Sequence, residues 1–303
     1  MKPKILKPPR FQKGDSIGII APAGPVTENE LRTGINILKS YNHEAVLAPH
    51  VFNNVGYMAG QDDQRLEDLH SMFQNKGVKA IFCARGGYGA LRLLQGIEFE
   101  LIRRNPKIIV GYSDITALLL AIYKKTGLVT FHGPAVREIS QGHDKNLIAL
   151  LDLIASDKLL ELDLRGATVI APGRAKGIFL GGNLSLITSL LGTPYMPSLK
   201  GAILFIEDKG EALYRIDRML THLKLSGSLG GLAGLMSGRF ENCGEIQSIN
   251  QLLLEKVSDL NIPVVSGLPV GHGQENMAVP LGLPAMLDTD RMTLAFAESC
   301  VTP

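Results

Sequence analysis

Tryptophan is absent from these 303 residues, and cysteine occurs only three times, as Cys83, Cys243 and Cys300. An odd, scattered set of thiols without Cys-x-x-Cys spacing argues against a disulfide framework and a structural zinc site, and fits a reducing compartment. Charge of one sign is lacking too: 31 basic against 29 acidic side chains leave a formal net charge of +2. A nucleic-acid binder gathers a basic excess on one face, so no nucleic-acid partner is expected. No apolar run reaches signal-peptide or membrane-spanning length, and the basic stretch Met1 to Pro9 is broken by prolines. The expectation is therefore a cytoplasmic protein with no membrane contact. Tight metal-ligand spacings such as His-Glu-x-x-His are missing as well, and neither a metal nor a cofactor is expected.

What is present is ordinary globular material, 45% hydrophobic and 20% charged, in a length that fits about two domains. Ser16 to Pro22 is a near-continuous apolar run ended by Gly24-Pro25 and reads as a buried parallel strand. Thr27 and Glu30 then form a capping-box pattern ahead of Leu31, Ile35 and Leu38 at helical spacing. The same alternation recurs: strands near 44–48, 78–83, 107–111 and 128–131, with helices at 62–75, 115–123 and 146–154. A parallel sheet covered on both faces follows, an α/β domain over residues 1–160. Gly166, Pro172 and Gly173 mark a soft junction, placing a linker at 161–176 and a smaller α/β domain, richer in short strands, at 177–303. In that second part strands are expected at 201–207, 232–237, 263–266, 285–288 and 292–296, and helices at 212–225 and 249–257.

Chemistry concentrates at a few strand ends. Lys107 to Ile115 is a strand that meets Gly111 and bends into a helix at Ser113. In such an elbow the hydroxyl stands clear of the sheet as a nucleophile, and the next amide, that of Asp114, points at a forming oxyanion. The competing reading is a plain helix cap, since serine is a preferred N-cap residue and the Gly-x-Ser-x-Gly pattern is incomplete at Ile115. A second loop, Arg85-Gly86-Gly87-Tyr88-Gly89, follows another strand of the same sheet and would emerge at the same edge. Gly86 or Gly87 could supply a second oxyanion donor or cradle a phosphate, and Arg85 could pair with a carboxylate. Among the histidines His272, between Gly271 and Gly273, is the candidate base, with His132 as competitor; His43, His50, His70, His143 and His222 lack such a setting. Glu207 and Asp208 end an apolar strand, where an ionised side chain needs a partner, and Ser113, Glu207 and His272 together supply the three roles of a triad. Gly181-Gly182-Asn183 is a further glycine-rich turn that lines a cleft or merely caps a helix.

Taken in order, these segments resemble the murein LD-carboxypeptidase family of serine peptidases, which also includes the microcin immunity peptidases. The segments are Ile20 to Pro25, Gly60 with Asp62, Asp63 and Arg65, Arg85 to Gly89, Gly111 to Asp114, Gly181 to Leu184, Glu207-Asp208, Ile216 to Arg218, and Gly271-His272. The resemblance implies Ser113 as nucleophile, His272 as general base and Glu207 as its orienting carboxylate, with the Gly87 and Asp114 amides as oxyanion donors. Arg85, Gly86 and Asn183 are the implied or guessed substrate contacts. It further implies an N-terminal flavodoxin-like or glutamine-amidotransferase-like parallel-sheet domain, a C-terminal β-rich α/β domain and a homodimer. The implied activity is release of terminal D-alanine from murein tetrapeptides in cytoplasmic cell-wall recycling. Two alternatives stand beside it: a microcin-immunity-type peptidase acting on aminoacyl-adenylate-like amides, and a non-catalytic nucleotide or sugar-phosphate binding module.

Overall fold

The apolar run near the start of the chain forms strand β1 (Ser16–Ile20), and Thr27 caps the helix Glu28–Ser40 through the expected box, with Glu30 accepting from the Thr27 amide at 2.8 Å. These features come from a computed structural model that describes residues 3–139 and 144–303; His143, named above, lies outside the described residues. Strands β2 (Ala45–Leu47), β3 (Val78–Cys83), β4 (Ile108–Gly111) and β5 (Thr130–His132) join β1 in a parallel array ordered β5-β4-β3-β1-β2. Ile17, Ile19, Ala80, Ile81, Phe82, Ile108 and Ile109 are fully buried. Burial on both faces is why these strands read as continuous apolar runs rather than as alternating ones.

The second sheet holds β6 (Glu161–Asp163), β7 (Thr168–Ala171), β8 (Arg174–Asn183), β9 (Ala202–Lys209), β10 (Gly234–Glu241) and β11 (Val264–Ser266). After β12 (Val279–Leu281) it is completed by β13 (Pro284–Asp288) and β14 (Thr293–Phe296), in the order β6-β14-β13-β8-β9-β10-β11-β7. Its centre, β8 to β11, is parallel, and antiparallel strands flank it on both sides.

The stretch 161–176, expected to be a linker, is instead paired: β6 lies against β14, β7 against β11, and β8 begins at Arg174. The reason is positional. β6 and β7 are the two edges of the sheet, short and partly exposed, and the brief Val-Ile-Ala run of β7 lies between Gly166 and Pro172, which read as turn residues. The division is crossed again by β12, which leaves the second half of the chain to pair antiparallel with β5 in the first sheet. β8 was concealed by its own glycines. Gly181 adopts φ 150, and a Cβ there would lie 1.8 Å from the Phe205 carbonyl oxygen, so close packing of β8 on β9 requires glycine in the middle of the strand. Among the described residues no helix is long and apolar enough to cross a membrane.

Candidate active site

Past Gly111 the chain turns at Tyr112 into a 3-10 turn, Ser113–Ile115, and then the helix Thr116–Thr126. Ser113 sits at φ 60, in the left-handed region, which costs a residue with a Cβ about 1–2 kcal/mol. A capping serine has extended backbone and accepts an amide hydrogen from its own helix. Here Tyr112 occupies the cap position and no side chain caps the turn, so capping does not describe Ser113. Strain of this kind, held at a strand end, is what lifts a side chain out of the sheet. Gly86 leaves room for it: a Cβ on Gly86 would stand 2.8 Å from Ser113 Cβ and 3.0 Å from its Oγ.

The loop that carries Gly86 and Gly87 is held from two sides. The Gly24 amide donates to the Gly86 carbonyl at 3.1 Å, joining it to the loop after β1. Asp114 Oδ2 accepts the Ala90 amide at 2.8 Å, and the carboxyl also takes the Gly89 amide. Arg65, 1% exposed, donates to the Pro22 carbonyl at 2.6 Å, pairs with Asp62, and packs so tightly on Gly89 that a Cβ there would fall 2.5 Å from its Nη1. One guanidinium therefore ties both loops together. Gly87, at φ 120, has an amide with no acceptor among the described residues. The Asp114 amide lies in the first turn of its helix, where intrahelical acceptors are lacking.

Burial pushes the Asp114 carboxyl up to about 6, against the pull of the Ala90 amide and Arg65. An unfolded aspartate titrates near 3.9, so between the two values the folded protein binds the extra proton. The stability linked to that proton is complete below about pH 4 and is lost as pH rises through about 6. Asp114→Asn, which does not titrate, should therefore melt progressively higher relative to wild type between about pH 5 and pH 8. Thermal melts at the two pH values test this, and a difference that does not change with pH contradicts it.

Glu207 lies at the end of β9, fully buried, and His272 follows Gly271 in the loop between β11 and β12. Glu207 Oε2 stands 2.7 Å from His272 Nδ1 and accepts the His272 backbone amide at 3.1 Å. Burial alone would raise the Glu207 carboxyl; the hydrogen bond and charge of His272 hold it below the ordinary glutamate value. An ionised carboxylate only accepts, so Nδ1 carries the proton, and in the neutral imidazole the lone pair is on Nε2. The Tyr112 ring lies 4.9 Å from the His272 ring, bringing the residue next to Ser113 against the imidazole. Ser113 thus follows a strand of the first sheet, Glu207 lies in the second, and His272 is in the loop that leads from the second sheet to the first.

The other expected contacts differ among themselves. Arg85 is half-buried beside Gly24 and donates to the Pro25 carbonyl at 3.2 Å. Asn183, expected as a substrate contact, is 3% exposed, donates to Asp208 at 3.0 Å and caps its helix by accepting from the Leu186 amide. Its side chain is spent on the fold. Asp208 serves the same end, also accepting from the Ser185 hydroxyl and amide. His132, the competing base, is fully buried at the end of β5, and burial lowers it to about 4. Sequence reasoning named Arg65 and Asp114 but missed what their side chains do; the signal was an aspartate directly after the elbow serine and an arginine on an otherwise amphipathic helix.

A serine on a strained strand end, whose neighbour Tyr112 packs against a histidine paired with a buried carboxylate, marks a serine hydrolase, and the chain belongs to the LD-carboxypeptidase family. Its N-terminal domain matches over residues 17–133 and its C-terminal domain over residues 176–287. It is 42% identical over 301 residues to a probable murein peptide carboxypeptidase of Bacillus subtilis (strain 168), covering 95% of this chain and 93% of that protein. Among solved structures it is similar to the microcin C7 self-immunity protein MccF in its wild-type apo state, with a TM-score of 0.92 at 25% identity, covering 98% and 100% of the two chains. Similarity to the muramoyltetrapeptide carboxypeptidase of Oxalobacter formigenes gives a TM-score of 0.82 at 31% identity, covering 93% and 97%. The protein is therefore a serine-type carboxypeptidase with the two-domain α/β fold, and a non-catalytic binding module is set aside.

Proposed function

We propose that the enzyme releases the terminal D-alanine from murein tetrapeptides, acting in the cytoplasm as a homodimer in cell-wall recycling. The observation that carries this reading is the 2.7 Å contact between Glu207 and His272 Nδ1, with the His272 ring 4.9 Å from that of Tyr112, the neighbour of the left-handed Ser113. The names of the murein peptide relatives support the substrate class. In the reaction, His272 Nε2 takes the Ser113 proton as Oγ attacks the carbonyl of the L-centre. The tetrahedral oxyanion is stabilised by the Gly87 and Asp114 amides. His272 then gives the proton to the departing D-alanine amine, and water repeats the cycle on the acyl-enzyme. Arg85, whose guanidinium has one carbonyl partner at 3.2 Å, is suited to clamp the free carboxylate of the leaving D-alanine.

A carboxylate clamp predicts selectivity. The free-acid tetrapeptide should be trimmed to tripeptide, whereas the C-terminal amide leaves the clamp without its anion at a cost of about 1–3 kcal/mol. A terminal L-alanine shifts the scissile geometry, and about 1 Å of misplacement can cost on the order of a hundredfold in rate. Mass spectrometry of the three peptides after incubation with enzyme provides the test; equal cleavage of all three removes the exopeptidase reading. A second reading, cleavage of an aminoacyl-adenylate-like amide, draws on the likeness to MccF. It lacks a tryptophan for the purine and would have to use tyrosines such as the exposed pair Tyr57 and Tyr88, whose rings lie 5.3 Å apart. Preferential cleavage of such an analogue over the tetrapeptide would favour it.

A further inference from the structure

Glu207 uses only half of its carboxylate. Oε2 takes both bonds from His272, while Oε1, equally buried, has no hydrogen-bond partner among the described residues. A buried carboxylate oxygen without a partner is expensive, and nothing on the Oε1 side fixes the plane of the carboxyl. The Glu207 carboxylate lies within electrostatic reach of Tyr112, His132 and His272. Phe205 and Glu207 are alternate residues of β9 and share a face, and the His132 ring meets Phe205 edge-on at 5.4 Å and Tyr112 at 6.1 Å. His132 also lies within electrostatic reach of both Glu207 and His272. The Tyr112 hydroxyl is engaged with Glu138, and both donors of His272 go to Oε2. His132 is fully buried, and neither of its ring nitrogens has a partner among the described residues.

An acceptor without a donor and a neutral imidazole with an unspent N–H therefore sit in one buried cluster. We propose that His132 is a positioning residue of the triad, donating to Glu207 Oε1 across one water, and so fixing the carboxyl plane that aims Oε2 at His272. It does not touch substrate, and it remains neutral at working pH because burial has lowered it to about 4. Its neutrality is what makes it suitable: a second imidazolium would compete with His272 for the same carboxylate.

The proposal rests on the triad reading, and the test separates the two. The low-field proton resonance of His272 Nδ1–H reports the bond to Glu207 without requiring turnover. It should be present in wild type and in Ser113→Ala, and absent in Glu207→Gln; failure of that pattern removes the triad and this role with it. His132→Phe keeps the ring volume and removes the donor. It should lower kcat by on the order of tenfold to a hundredfold with KM little changed, and broaden the resonance or move it upfield. His132→Gln, which restores an N–H, should recover most of kcat and the resonance. Thermal melts of both variants check folding. In the unmodified enzyme, 15N-histidine spectra should show His132 as one neutral tautomer between about pH 5 and 8. A His132→Phe enzyme with wild-type resonance and kcat within about twofold overturns the assignment. The donor would then be another group, first of all Asn276 Nδ2, which is also buried without a partner and whose Oδ1 holds the Gly271 amide at 2.9 Å.

Discussion

Ser113→Ala should lower kcat on murein tetrapeptide by on the order of a millionfold, the loss seen when the nucleophile of a serine hydrolase is removed. It should leave the melting temperature nearly unchanged, because the Ser113 hydroxyl caps no helix and the substituted residue keeps the same strained backbone. The strain supplies an internal control. Ser113→Gly would be equally inactive but should melt no lower than the alanine variant, because glycine adopts φ 60 without the Cβ penalty. Single-turnover assays and thermal melts on both variants are sufficient. A folded alanine variant that turns over at a rate near wild type would assign the nucleophile elsewhere.

Glu207→Gln should cost on the order of ten-thousandfold in kcat, because an amide in place of the carboxylate no longer requires the Nδ1–H tautomer of His272 nor stabilises its cation. The effect on stability has a definite sign. The Glu207 carboxyl lies below its ordinary value in the folded protein, so its contribution is present above about pH 4.3 and is lost as pH falls through the folded value. The melting deficit of the glutamine variant should therefore be largest near neutrality and shrink on acidification. A variant that keeps more than about a tenth of wild-type kcat would show that Glu207 does not orient the base.

How far the sequence reveals this protein depends on what each segment buries. β1 and the Thr27 cap were readable because a two-sided core and an N-terminal cap impose local patterns, one of apolar residues and one of spacing. β8 was not, because Gly177, Gly181 and Gly182 serve close approach to neighbouring segments and read as turn residues. β12 is three residues long with a proline at its centre, which nothing local distinguishes from a loop. In the site, chemical type was legible and partnership was not. Glu207 and His272 are 65 residues apart, and only the fold sets one against the other. Arg65 reads as a surface charge on a helix until its guanidinium is seen on the Pro22 carbonyl, between two loops that the sequence separates by some sixty positions. For Asn183, in a turn read as lining a cleft or capping a helix, the second holds: it caps its own helix and donates to Asp208.

The pairing of β12 with β5 also sets an order of assembly. β5 is made within the first half of the chain, but its outer neighbour is not synthesised until residues 279–281, so a nascent first sheet must wait with an open edge while the intervening segment emerges from the ribosome. An open sheet edge is a template for pairing with other chains, and Thr130, Phe131 and His132 of β5 are all buried in the finished protein. A fragment ending near residue 160 would carry that edge permanently and should aggregate, while His132, at the end of β5, would lose the strand that packs beside it. The N-terminal half is thus a family domain in sequence yet incomplete as a folding unit, and the late strand makes final closure of the first sheet a long-range event.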